Sequence, residues 1–375
     1  MGMRLTPEQI AKLETPCLVV DMELMRLNIA RMQKQADDAH VALRPHVKTH
    51  KMPLFARMQL EAGAKGITCA KVSEAEVMAD GGARDIFIAY PMVGDFRIRR
   101  ALALQKRVDR LILAVDSMEG AVPLNEAAAA AGIILEIRLE IDTGAKRTGV
   151  LLGNAAALAV RIAALPNLRL TGIYTFKSLV FQGQPTQDND LAAREEGELM
   201  EKAAQAIRAA GVPIAEISAG STPTGAAVAR TGKVTEIRPG TYIFGDYMLY
   251  KEHVAMPEDI AIRFFATVVS TPEPGYAVID GGSKTFPTDV PIGVPPMNYP
   301  GYAVVEGNDD LRLTRMKEEH GMVSSARGDT GLVVGEKIVL IPIHVCTAIN
   351  FQNTVYIAES GDIRIQKVDA RGMLV

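Results

Sequence analysis

The sequence has no block of like charge, no long apolar run and almost no cysteine, and each absence removes a class of protein. Its 41 basic and 44 acidic side chains nearly cancel to a net charge of −3, so there is no electrostatic footprint for nucleic acid or a membrane surface. No stretch approaches the ~18 apolar residues of a membrane span. The N-terminal segment Met1–Ile10 has no uninterrupted apolar core of the kind a signal peptide needs, so a cytoplasmic location is expected. Cys17, Cys69 and Cys346 are too few and too far apart for a disulfide framework. Cys17 and Cys69, inside apolar runs, read as core thiols. No internal repeat or low-complexity segment is present.

What remains is a chain of 375 residues with 48% hydrophobic composition, enough for two domains and a substantial core. After the short apolar run Cys17–Val20, a helical period begins at Met22. Strand-like runs then recur at 41–46, 66–70, 85–90, 110–115, 134–140, 170–175, 215–219 and 234–238. Helix-compatible segments separate them, among them 54–62, 73–79, 96–105, 118–131, 155–164 and 190–210, several ending at a glycine such as Gly63, Gly132 or Gly211. Eight alternations predict a (β/α)8 barrel, with a doubly wound open sheet as the alternative. The last two helices read as short. From about residue 256 the pattern turns β-rich, at 261–270, 276–280, 332–334, 338–342 and 354–357, with Gly, Pro and Asp turns and no helical period. The expected organisation is a barrel over 22–255 and a mainly β domain formed by 1–21 with 256–375.

Functional groups of a barrel gather at the C-terminal ends of its strands. Lys48, in the stretch 43–51, follows the first strand, where desolvation would favour a nucleophilic amine; a solvated basic turn is the plain alternative. Arg147 follows the fifth strand on a glycine-flanked loop and by itself reads as a surface residue. The segment 218–224, Ser-Ala-Gly-Ser-Thr-Pro-Thr, and the segment 238–242, Arg-Pro-Gly-Thr-Tyr, both offer glycine and hydroxyls after a strand, suited to a phosphate. The first also reads as a helix N-cap at Ser221 or Thr222. His344 and Cys346 lie in an apolar run; two residues apart on a strand they share a face, and the pair suits zinc. Packing of both in a β core is the alternative.

Taken together and in this order, Thr15-Pro16, the segment 44–51, the segments 218–224 and 238–242, Glu319-His320-Gly321 and His344-Val345-Cys346 resemble the fold-type III pyridoxal-phosphate enzymes of the alanine racemase type. Within them the match is to the D-serine dehydratase and D-threonine aldolase family, over nearly the whole chain. The resemblance implies pyridoxal 5'-phosphate carried as a Schiff base on Lys48, with His46 in the same motif among the cofactor-binding residues and Arg147 beside the ring. It places the phosphate against Ser221, Thr222, Gly240 and Thr241, with Tyr242 nearby. It implies a divalent metal on His344 and Cys346, a His-x-Cys pair of the dehydratase type that favours zinc, where aldolases carry His-x-Asp. The implied assembly is a homodimer and the implied substrate a small D-amino acid.

The expected activity is therefore a metal- and pyridoxal-phosphate-dependent lyase. It would dehydrate a D-3-hydroxy amino acid to a keto acid and ammonia, with retro-aldol cleavage as the alternative and a non-catalytic cofactor-binding protein as a remote one. One departure stands out. Relatives show a Thr-His pair after the sixth strand; this chain has Thr175-Phe176-Lys177. The histidine that can act as base on the β-hydroxyl in aldolases is thus Phe176 here, and Lys177 is expected to be free to pair a second substrate carboxylate. Lys51 is expected to be an ordinary solvated side chain.

Overall fold

The structure is a computed structural model that describes residues 5–375; the first four residues of the N-terminal stretch lie outside the described residues. The chain forms two compact units. One holds the described residues through Ile29 with Thr49–Lys51 and Thr241–Gly372; the other holds Ala30–Lys48, Met52–Gly240 and Met373–Val375.

The second of these units is the barrel. Its eight parallel strands, in sheet order Ala42–Leu43, Glu236–Ile237, Glu216–Ser218, Leu168–Tyr174, Leu135–Asp142, Arg110–Val115, Asp85–Pro91 and Ile67–Cys69, are joined end to end by a parallel bridge between His46 and Thr68. All eight predicted strands are present. They were legible because a parallel strand is covered on both faces and therefore reads as a continuous apolar run: Leu111 through Val115 are all buried. The helices obey the expected punctuation. Met118–Ala131 is capped by Ser117, whose hydroxyl accepts the Gly120 N–H at 3.3 Å, and closes at Gly132 with φ +67. Asn189–Ala209 is capped by Asp188, which accepts the Leu191 N–H at 2.9 Å. Its buried stripe runs Ala192, Ala193, Glu196, Met200, Ala203, Ala204 and Ile207, a 3.6-residue period with one carboxyl group in an otherwise apolar row.

Toward the N-terminal ends of the barrel strands lies a buried charge network. Arg44 Nε donates to Glu236 at 2.8 Å and its Nη1 to Asp85 at 2.6 Å; Arg138 donates to Glu236 and to Glu216, and Arg110 to Glu216 at 2.8 Å. Burial opposes the charge of Glu236, but the Arg138 and Arg44 guanidiniums hold it well below the usual carboxylate range. Burial likewise opposes that of Glu216, which Arg138 and Arg110 hold at about 2. Carboxylates with depressed folded-state values contribute stability above their unfolded pKa, and that contribution is lost as pH falls toward the folded value. Acid should therefore weaken the barrel between about pH 4.5 and 2, the two values that bracket Glu216. Glu236→Ala leaves two buried guanidiniums without their shared partner and is expected to cost about 3–5 kcal/mol in denaturant unfolding. A loss below about 1 kcal/mol, the level of exposed ion pairs, would mean that water replaces Glu236.

The other unit is β-rich, as expected, and the N-terminal strand joins it. Cys17–Asp21 pairs antiparallel with Ile262–Glu273 and parallel with Thr354–Glu359. Six strands, Tyr276–Ile279, Gly321–Ser325, Leu311–Met316, Ala303–Val305, Lys337–Pro342 and Ile262–Glu273, close on themselves because the first also pairs with the last. Two details differ from expectation. Residues 332–334 are not a strand, and Val333 and Val334 are 63% and 62% exposed. Conversely Ala303–Val305, Leu311–Met316, Gly321–Ser325 and Asp362–Lys367 are strands that the apolar runs did not mark. Leu311 and Leu313 point inward while Arg312 and Thr314 do not, the half-covered alternation that a search for continuous runs misses. Cys17 and Cys69 are buried core thiols, and burial pushes Cys17 up to about 12. Among the described residues no helix is long and apolar enough to cross a membrane.

Candidate active site

Lys48 lies in a 3-10 turn, Val47–Thr49, directly after the first barrel strand. The turn is fixed from below: Arg44 N–H donates to Ile237 carbonyl at 3.0 Å, and His46 N–H to Pro239 carbonyl at 2.9 Å. The His46 imidazole faces the turn, its Nδ1 3.5 Å from the Lys48 N–H. Half-buried Lys48 therefore sits beside the 238–240 loop, as adjacent strands require. Its ammonium is 5.7 Å from the centre of the Phe176 ring. On that same ring lies the Arg147 guanidinium, at 4.5 Å. The Arg147 loop is shaped by Asp142, which accepts the Gly144 and Lys146 N–H groups at 2.8 and 3.1 Å. Gly149 closes it at φ +104, where a Cβ would stand 2.6 Å from the Asp142 nitrogen.

The two hydroxyl-rich loops meet. Thr222 Oγ1 accepts the Gly240 N–H at 3.1 Å, and Ser221 N–H donates to Thr224 Oγ1 at 3.2 Å. The cap of the following five-residue helix is Thr224, without a side-chain capping bond, so neither Ser221 nor Thr222 is used as the N-cap. Tyr242 is buried in the 3-10 turn Thr241–Ile243. The Ser221 and Thr222 hydroxyls, the latter braced by the Gly240 N–H, are donors suited to a phosphate. With Lys48 on the neighbouring strand end, the residues fit pyridoxal phosphate.

Within the β-rich unit, His344 is the N-cap of the helix Val345–Phe351. The two-residue spacing is thus not that of a strand: Lys337–Pro342 has already ended, and Cys346 stands in the first helical turn. The side chains nevertheless converge, close enough for Cys346 to act on the His344 imidazole. Burial opposes the imidazolium, but Cys346 and Asp289 outweigh it and raise His344 to about 11. Asp289 Oδ2 lies 2.6 Å from His344 Nδ1 and accepts from Thr347 at 2.9 Å. A carboxylate on one ring nitrogen orients the other toward a metal, and imidazole with thiolate is a donor set that fits zinc. No group of three or more His, Cys, Asp or Glu side chains suited to a metal occurs among the described residues. Cys346 Sγ is 3.2 Å from Thr49 Oγ1 and 3.6 Å from Thr241 Oγ1. Those threonines immediately follow Lys48 and Gly240.

Two sequence expectations need correction. Lys177 is buried at 1% exposure; its ammonium forms an ion pair with Glu195 and also reaches the Ala192 carbonyl. Glu195 further accepts the Gln182 N–H, so this lysine anchors a loop and is not free for a substrate carboxylate. Lys51 is not solvated: it is 4% exposed and adopts φ +57. Glu319 and His320 lie on an exposed turn, with Glu319 paired to Lys284 at 2.8 Å. Asp289, Thr49 and Asp246 carried no signal in the sequence. Asp246, fully buried, accepts the Val345 and Leu249 N–H groups, both at 3.0 Å, and so fixes the turn that bears His344.

A closed barrel with a lysine and two phosphate-compatible loops at its strand ends, continued by a β domain, is the architecture of the alanine racemase class. The chain belongs to that family: the alanine racemase N-terminal domain model matches residues 20–248, and the putative serine dehydratase domain model matches 261–358. It is 34% identical to the D-threo-3-hydroxyaspartate dehydratase of Delftia sp. (strain HT23), over 96% of this chain and 97% of that one. It is 30% identical to the D-threonine aldolase of an Arthrobacter species, over 97% and 94%. The solved structure of the Delftia dehydratase superposes with a TM-score of 0.86, at 31% identity and 96% and 98% coverage. A cysteine-to-alanine mutant of a D-threo-3-hydroxyaspartate dehydratase is described as being in the metal-free form.

Proposed function

We propose that this protein is a pyridoxal-phosphate- and metal-dependent lyase that dehydrates a D-3-hydroxy amino acid, releasing a keto acid and ammonia. Its relatives include lyases of both the dehydratase and aldolase kinds, and the choice between them rests on this chain's own residues. The observation that carries the reading is the contact of Cys346 with Thr49, which follows Lys48 in the chain, and with Thr241, itself one of the proposed phosphate contacts.

In this reading Lys48 carries the cofactor, with His46 in the same motif and Arg147 beside its ring. Ser221, Thr222, Gly240 and Thr241 hold the phosphate, and Tyr242 backs them. Held there, pyridoxal phosphate would supply an electron sink for the bond pair left at Cα. Lys48 Nζ takes and holds the Cα proton. His344, oriented by Asp289, and Cys346 hold the metal, which we propose to be zinc because a thiolate donor selects a softer ion than a carboxylate does. Zinc there supplies Lewis acidity to the departing β-hydroxyl. Phe176 presents only ring carbons on the Lys48 side, so no base stands at that position to take a β-hydroxyl proton, as C–C cleavage needs. This supports elimination over retro-aldol chemistry. The barrel unit would carry Lys48, Arg147, Ser221, Thr222 and Gly240, and the β-rich unit, which also holds 22–29 and 241–255 of the expected barrel span, would carry the metal pair, in a cytoplasmic homodimer.

Product analysis on D-serine, D-threonine and both D-3-hydroxyaspartates tests the reading directly. Keto acid with stoichiometric ammonia is the expected result. Glycine with an aldehyde would establish the aldolase alternative instead, and no turnover of any of the four would defeat both.

A further inference from the structure

The phosphate-compatible turn at 218–224 is not held by its own backbone alone. Beneath it, from the buried face of the helix Asn189–Ala209, rises Glu196, with no exposed surface. Its Oε1 accepts the Gly220 N–H at 3.1 Å and its Oε2 accepts the Thr224 hydroxyl at 3.0 Å. Thr224 Oγ1 in turn accepts the Ser221 N–H, so the carboxyl grips the turn at both ends and, through Thr224, at its middle. Gly220 adopts φ +87, and a Cβ there would lie 2.7 Å from Val228 and 2.9 Å from Gly225, which fixes the other side of the turn. A carboxyl group in an apolar helix stripe is costly to bury, and the surrounding stripe of alanine, methionine and isoleucine shows that packing does not require it. Burial pushes its pKa up, while the Gly220 N–H and the Thr224 hydroxyl act the other way.

We infer that Glu196 is a positioning residue for cofactor phosphate: it sets the Gly220–Thr224 turn so that the hydroxyls of Ser221 and Thr222 face the phosphate together. It touches no reacting atom. The inference rests on the cofactor reading above and adds which residue of the helix layer makes the cradle. Its signature is selective. Removing the carboxyl should weaken whatever grips phosphate and spare whatever grips the ring and aldehyde carbon.

The test compares binding of pyridoxal phosphate and of pyridoxal, which lacks the phosphate, to the full-length protein stripped of cofactor. Wild type should prefer pyridoxal phosphate. Glu196→Ala should weaken pyridoxal phosphate by about tenfold or more, the value of one to two buried hydrogen bonds, and leave pyridoxal within about twofold, below the size of one such bond. Glu196→Gln, whose amide can accept from Gly220 and donate to Thr224, should restore most of the preference. If Glu196→Ala does not fold, Thr224→Val removes the relay to Ser221 and should show the same selective loss. Equal weakening of both ligands, or no weakening of either, overturns the positioning role while leaving the cofactor assignment intact. A wild type without any preference for the phosphorylated form would instead sink the cofactor reading, and this inference with it.

Discussion

Lys48→Ala is expected to abolish the visible absorbance of the bound cofactor and to reduce turnover by at least about 10⁴-fold, the upper end of what one positioned proton-transfer group contributes. The effect is large because the proposal gives one side chain two tasks, attachment and proton transfer, and alanine removes both. Lys48→Arg separates charge from nucleophilicity: a guanidinium keeps the cation over Phe176 but does not lose its proton in proteins, so it too should be inactive. A visible band that survives both substitutions would relocate the cofactor. Lys51 would be the first residue to examine, since it is three positions on and buried.

Removal of the metal is the second large effect, with a different signature. Chelation or Cys346→Ala should lower turnover by about 10³-fold, corresponding to the several kcal/mol that Lewis-acid stabilisation contributes, while the cofactor band stays. The residues proposed to hold the cofactor and those proposed to hold the metal are separate, so one can be lost without the other. Asp289→Asn should act more mildly, reducing metal affinity by about 10–100-fold as loss of an orienting partner does. Added zinc should then recover turnover for Asp289→Asn and not for Cys346→Ala. Full activity in chelator and in Cys346→Ala would end the metal assignment.

The barrel was legible in the sequence because its physics is local and repetitive. Each strand is covered on both faces, each helix has one buried stripe, and glycines such as Gly132 stop the helices where a left-handed residue is needed. The β-rich unit was legible in class and less so in detail. Strands such as Leu311–Met316 carry arginine and threonine on alternate positions and resemble loops to a search for apolar runs. For the site, the order of Lys48, the two hydroxyl loops and His344-x-Cys346 was enough to carry the resemblance to the family. It was not enough to describe how the metal pair is presented. A spacing of two suggested a strand face, but Asp246 accepts the Val345 N–H and Asp289 braces His344 from 55 residues earlier in the chain.

By itself, then, the sequence determined the eight-strand count of the barrel, the turn to a β-rich C-terminal part, and the residue types available for chemistry, because these follow from patterns among near neighbours. Tertiary structure alone decided what each polar side chain is committed to. Lys177, which the sequence offered as a substrate contact, is paired with Glu195 of the following helix. Lys51, which looked solvated, is buried. Glu196, one of two adjacent glutamates in a helix, became the carboxyl under the phosphate turn. A charged side chain's partner is chosen by packing at a distance of 18 residues for Lys177 and 28 for the Glu196–Thr224 bond, and the cost of burying a polar group makes that choice binding.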